Sequence, residues 1–169
     1  MRPVIYLFLI AVTYSACSKK TYADSSGHSN STRSATYREK IVVTSNLNAD
    51  MINEVNAYRT HKGLAPLRLL TVAASEAIRH SQDMASKKVS FGHTGFKQRA
   101  IAIANQLNGT SSTGENVAYG KMTAKEVVAA WLKSPAHRAN IEGPFTYTGA
   151  GVAKDSKGVV YYTQLFVKK

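Results

Sequence analysis

Trp131-Leu132-Lys133-Ser134-Pro135-Ala136-His137-Arg138-Ala139-Asn140-Ile141 is the stretch on which the fold turns. Just before it, Thr123-Ala124-Lys125-Glu126 makes a capping box, in which Thr123 and Glu126 satisfy each other's orphan amides. The helix opened there buries Val127, Val128, Trp131 and Leu132, which recur at helical spacing. Ser134 suits an N-cap and Pro135 the first helical position, so a second, short helix restarts at once and carries His137. Beyond Gly143-Pro144 the apolar period changes to two. A strand near Thr148 to Ala153, a turn at Asp155-Ser156-Lys157-Gly158 and a strand near Val159 to Phe166 then make a hairpin.

Working back from this stretch, Glu115-Asn116-Val117-Ala118 reads as another strand, and Asn108 to Gly114 as a loop. Phe96 to Leu107 makes a helix. Another runs from Thr71 to about Lys88, with Ala74, Ile78, Ser81 and Ala85 forming a small-residue stripe that permits close approach to a sheet or helix. Leu64-Ala65-Pro66-Leu67 is a turn. The first helix of the fold begins near Asn48, where Asn48 or Asp50 can cap it; Met51, Ile52, Val55 and Tyr58 supply its apolar face, and Gly63 follows its end. Helices first and strands last give an α+β fold, in a layered arrangement.

The N-terminal part has a different character. Arg2 precedes the apolar run Val4 to Val12 and then Tyr14-Ser15-Ala16-Cys17, the pattern of a secretory signal. The run is too short to span a bilayer as a permanent helix. Cys17, the only cysteine, sits where small residues end, and this resembles the bacterial lipobox, although Tyr14 stands where that pattern usually has Leu. The resemblance implies a Cys17 thiol that is acylated and holds the mature protein on a membrane, leaving no thiol for catalysis. The segment that follows is dominated by Ser, Thr, Asn, Lys and Arg and offers little apolar surface to offset ordering entropy. The expected organisation is therefore a signal peptide over residues 1–17, a flexible tether over 18–47 and a folded domain over 48–169.

The chain carries 22 Lys and Arg against 10 Asp and Glu, a formal net charge of +12. Such an excess attracts anionic lipid, acidic polysaccharide or nucleic acid. No basic helix face or aromatic-interleaved basic patch stands out along the sequence, so a specific nucleic-acid partner is not expected. A His-Glu-x-x-His helix, a Gly-x-Ser-x-Gly elbow, a phosphate-binding glycine loop and paired cysteines are all missing. His28 reads as solvated, His61 as a surface residue at a helix C-terminus, and His80 as exposed in mid-helix.

What remains are separated polar residues in Phe91-Gly92-His93-Thr94-Gly95, in Gly114-Glu115-Asn116-Val117-Ala118-Tyr119-Gly120 and in the tryptophan segment. In that order and spacing, over about 120 residues, they resemble the CAP (SCP-like) superfamily in its bacterial form. The Gly-Glu-Asn-x-Ala and Trp-x-x-Ser-Pro-x-His-Arg-x-Asn-Ile signatures are both present, as are the closing strands Gly149 to Ala153 and Tyr162 to Phe166. The resemblance implies a three-layer α-β-α sandwich with a cleft around two histidines and two acids. His93 and His137 fall on the histidines and Glu115 on the first acid; the second acid's position falls near Ser134, so the tetrad is incomplete.

Two readings follow from that set. In one, an exported envelope protein presents His93, Glu115, His137 and Ser134 as a polar cleft to a small ligand, lipid, envelope polymer or partner protein. In the other, His93 and His137 hold Zn²⁺ and Glu115 acts as general base in a metal-assisted hydrolase. The missing second acid and the low ligand count weigh toward binding rather than catalysis.

Overall fold

The computed structural model describes residues 34–110 and 112–169, with side chains from Asn46 onward. Cys17 and His28 lie outside the described residues. Among the described residues, five helices and four strands follow in the order α1 (Ser34–His61), β1 (Arg68–Leu69), α2 (Thr71–Ala85), α3 (Phe96–Gln106), β2 (Ser112–Gly120), α4 (Ala124–Leu132), α5 (Pro135–Glu142), β3 (Tyr147–Lys154) and β4 (Val160–Lys168). The helical backbone of α1 thus begins N-terminal to Asn48. Its buried face is carried by Met51, Val55 and Arg59, spaced four apart.

The strands form one sheet in the order β1-β3-β4-β2, parallel between β1 and β3 and antiparallel elsewhere. Strand alternation divides the core in two. Ala150, Val152, Tyr162 and Phe166 face α1, α4 and α5, while Leu165 and Val167 face α2 and α3. The result is the three-layer α-β-α sandwich. The short connection through Asp155 closes the β3–β4 hairpin: the Asp155 carboxylate accepts the backbone N–H of Lys157 at 2.8 Å and of Val159 at 2.9 Å.

α2 lies unusually close to β3, and glycine is the reason. A Cβ at Gly149 would fall inside the backbone of Ala73 and Ala74, and one at Gly151 inside that of Ala77 and Ile78. The small-residue stripe expected on α2 is present, but its buried face is centred on Ala73, Ala77 and Ser81. Ser81 Oγ reaches Gly151 O at 2.9 Å and Thr163 Oγ1 at 2.8 Å, pinning the helix in its glycine seat. On the opposite layer, the buried Arg59 guanidinium donates to Ala65 O, Ile141 O and Gly143 O at 2.9, 2.6 and 3.0 Å. That fork ties the end of α1 to the exit of α5, and so fixes α5 against the sheet.

Candidate functional site

β2 is an edge strand, and both layers converge on it. Glu115 pairs across the sheet with Leu165, so its side chain enters the layer of α2 and α3. There it meets Arg99, which interrupts the apolar stripe of α3 between Phe96 and Ile103 and is as buried as they are. Arg99 Nε donates to Glu115 Oε2 at 2.7 Å and Nη2 to Oε1 at 2.8 Å, a bidentate pair. Its third nitrogen, Nη1, donates to Thr94 O at 2.9 Å, which holds the loop carrying His93. His93 Nδ1 lies 2.8 Å from Glu115 Oε1. His80, on α2, secures the same loop from beneath through Nε2 and Gly92 O at 2.8 Å.

The other side of β2 is closed by α4 and α5. An edge strand exposes unpaired carbonyls, and here two are covered by side chains. Trp131 Nε1 donates to Val117 O at 3.3 Å, and Asn140 Nδ2 to Glu115 O at 3.2 Å. Asn140 Nδ2 also reaches Asn116 Oδ1 at 2.8 Å, and Asn116 Nδ2 donates to His137 O at 3.1 Å. Asn140 approaches so closely that a side chain at Gly114 would collide with its amide, which accounts for glycine there. These bonds place His137 at the start of α5, beside Trp131, with ring centroids 6.4 Å apart.

His137 Nδ1 and Ser134 Oγ are buried and have no hydrogen-bond partner among the described residues. Ser134 occupies the N-cap of α5 with extended dihedrals, yet its hydroxyl makes no capping bond. Burial, reinforced by the neighbouring His93, pushes the His137 imidazole from 6.5 down to about 4. His80 is likewise lowered, chiefly by burial.

The His137 shift has a definite sign. Above pH 6.5 the ring is neutral in both folded and unfolded chains and adds no pH dependence. Between 6.5 and about 4 the unfolded chain takes up the proton and the folded one does not, so stability falls as the pH falls. Discounted for solvent screening, the loss is about 2 kcal/mol. Urea midpoints measured from pH 7 to 4.5 should therefore drop more steeply for the native chain than for His137→Gln. Parallel curves would show that burial of this ring carries no proton linkage.

Glu115 lies on β2, His93 meets it from one side and His137 is tied to the strand through Asn116, while Ser134 sits at the junction of α4 and α5; Trp131 is the core anchor the sequence implies. Two expectations are corrected. The Zn²⁺ site on His93 and His137 is not supported: among the described residues, no group of three or more His, Cys, Asp or Glu is placed to hold a metal ion. The reason lies in Arg99. It occupies both oxygens of the Glu115 carboxylate and sets a buried positive charge where a divalent cation would need a negative one. The metal-assisted hydrolase loses its ligand set with it. The second correction is His80, expected at the surface and found only 2% exposed.

Arg99 is the member of the site that sequence reasoning passed over. One signal was available: a charged residue at the buried position of an otherwise apolar helical stripe requires a buried partner.

The family description "CAP: Cysteine-rich secretory protein family" matches residues 52–166. The uncharacterized protein YkwD of Bacillus subtilis is 32% identical over 126 residues, covering 70% of this chain and 46% of its own length. The uncharacterized membrane protein YlbC of the same organism is 32% identical over 134 residues, covering 78% of this chain and 36% of its own. The chain thus spans less than half the length of these curated relatives. A crystal structure of an extracellular protein containing a SCP domain, from Bacillus anthracis, superposes with a TM-score of 0.64 at 26% identity, covering 78% of this chain and 43% of that one. With the signatures carried on β2, α4 and α5, and the matched region reaching from α1 to β4, the chain belongs to the CAP, or cysteine-rich secretory protein, family.

Proposed function

We infer that this CAP domain works outside the cytoplasm as a binding module, held at a membrane through acylated Cys17, and that its polar site engages a ligand without turning it over. One observation carries the reading: both oxygens of Glu115 are taken by Arg99, and Oε1 is also met by His93. A carboxylate held this way is a structural acceptor. To serve as a general base it would have to give up a buried bidentate pair. The polar groups left over are Ser134 Oγ and His137 Nδ1, both buried, so a small ligand, a lipid head, an envelope polymer or a protein segment would hydrogen-bond to them only where the side chains covering them move aside.

Location outside the cytoplasm is supported by the signal-like N-terminus and by the extracellular and membrane descriptions of the relatives. No helix among the described residues is long and apolar enough to cross a membrane, so attachment would rest on the segment around Cys17. Fractionation of cells carrying native and Cys17→Ser chains tests this part: the native protein should sediment with membranes and the variant should not.

The binding reading is tested with the full chain, purified in detergent and incubated with peptide and peptidoglycan substrates. No turnover is expected. Turnover by the native chain that disappears in His93→Gln and in Glu115→Gln, with circular dichroism unchanged, would replace the binding module by an enzyme.

A further inference from the structure

One end of the sandwich gathers lysines. Gly120 ends β2, Lys154 ends β3 and Val160 opens β4, and the three share a rung, so the exit of β2 lies beside the β3–β4 hairpin. Two exposed side chains, Lys121 and Lys154, converge over the hairpin glycine: a Cβ on Gly158 would stand 3.3 Å from Lys154 Cε and 3.8 Å from Lys121 Cε. Lys157 is exposed in the same turn. Lys125 is exposed in the first turn of α4, whose approach is bound to this end of the sheet by the Tyr162 hydroxyl, donating to Met122 O at 2.6 Å.

The acids nearby are otherwise engaged. Asp155 Oδ1 accepts two backbone N–H groups, and Glu126 Oε2 accepts the N–H and the hydroxyl of Thr123. Among the described residues, no carboxylate forms an ion pair with Lys121, Lys125, Lys154 or Lys157. The opposite end of the sheet differs: there Lys62 and Arg68 stand over the rings of Tyr58 and Tyr147, at 5.8 and 5.3 Å.

The direction of α1 gives the lysine end its meaning. α1 finishes at the opposite end, where Arg59 binds Ile141 O and Gly143 O just ahead of β3, and it packs along α4 and β3. It therefore runs antiparallel to β3. Leu47, the first described side chain of α1 on the core, stands about 18 Å before Arg59 along the helix, toward the hairpin. The chain coming from Cys17 thus enters the domain at the end that carries the lysines.

We propose that this end lies against the anionic head groups of the membrane, with Lys121, Lys125, Lys154 and Lys157 paired with lipid phosphates. The proposal rests on the reading that Cys17 is the point of attachment. A domain tethered at one end brings that end closest to the bilayer, and each lysine held near an anionic surface adds attraction. An acyl anchor with a basic patch is a two-signal attachment, in which the patch sets the orientation. A soluble polyanion would meet the same charges, but the tether fixes the membrane at this end. Glu115 then stands about 16 Å farther along β2 than Gly120, so the site around it is turned toward the envelope and away from the lipid.

The test uses the full chain reconstituted in phosphatidylcholine vesicles with and without phosphatidylglycerol. Vesicles are floated, the bound chain is treated with an amine-acylating reagent, and each lysine is read by mass spectrometry. Lys121 and Lys154 should react about fivefold more slowly on the anionic vesicles, and about 0.5 M salt should abolish the difference. Lys62, at the opposite end, should react equally on both. The mass of the N-terminal peptide reports acylation of Cys17 separately, so a failed anchor and a failed lipid contact give different results. Equal reaction of Lys121 and Lys154 on both vesicles overturns the proposal. So does equal slowing of Lys62, or protection by soluble polyphosphate that matches the anionic vesicles at the same phosphate concentration.

Discussion

Arg99→Met should destabilise the chain by about 4 kcal/mol, the largest loss expected from any single side-chain change at the site. The native pair is bidentate and buried, with Arg99 only 3% and Glu115 only 5% exposed. Met keeps most of the volume and the helical propensity of the α3 position, so the loss isolates the charge. Glu115 is then left in the layer of α2 and α3 with His93 as its remaining side-chain partner, and the loop at Thr94 loses its guanidinium donor. The double variant Arg99→Met/Glu115→Leu should recover a large part of the loss, because removing both charges abolishes the desolvation penalty that the single change exposes. Urea unfolding of the four chains closes the cycle. Equal stability of Arg99→Met and the native protein would mean that Glu115 finds another partner and that the pair does not organise the site.

Gly151→Ala should cost about 3 kcal/mol or more, although it adds only one methyl group. The added carbon would occupy the space of Ala77 and Ile78 backbone atoms, which cannot rotate away as a flexible side chain could. Relief requires α2 to lift from the sheet, which stretches the Ser81 bonds to Gly151 O and Thr163 Oγ1 and opens packing against Leu165. The same movement would shift His80 and, through Gly92, the loop of His93. A fall in urea midpoint at constant m-value, accompanied by changed nuclear magnetic resonance shifts for the His93 ring, is the expected signature. Unaltered stability would place α2 farther from β3 than the structure has it.

These two losses bear on function. The Arg99–Glu115 pair, the close-packed α2 and the Asn116–Asn140 bridge are all devices that hold β2 and its flanking loops in one arrangement. They consume the hydrogen-bonding capacity of Glu115 and leave that of Ser134 and His137 unspent. A site built in this way holds Glu115 as a fixed acceptor in a buried ion pair.

Local chemistry was legible in the sequence. The capping box forms as read: Glu126 N–H donates to Thr123 Oγ1 at 3.3 Å, and Thr123 N–H to Glu126 Oε2 at 2.8 Å. The β3–β4 hairpin, the burial of Trp131 and the strand at Glu115 are likewise as the spacing implied. The three-layer fold came through the ordered signatures and not through any one of them. Each of these readings rests on neighbours within a few residues or on a periodic face, and such patterns are written directly along the chain.

Pairing between elements is different in kind. Arg99 and Glu115, His80 and Gly92, Gly151 and Ala77, and the row Phe91-Tyr119-Tyr161 meet only after the order β1-β3-β4-β2 and its register are set. The sequence shows a cation on an apolar stripe but does not say which carboxylate will neutralise it. It shows two histidines and a glutamate suited to a metal, but not the guanidinium that reaches the glutamate first. The amino-acid order by itself determined the elements and the family to which they belong. Only the packed structure decided which buried charges cancel and which polar atoms remain unspent, because that competition is settled by distances of a few ångströms between segments far apart in the chain.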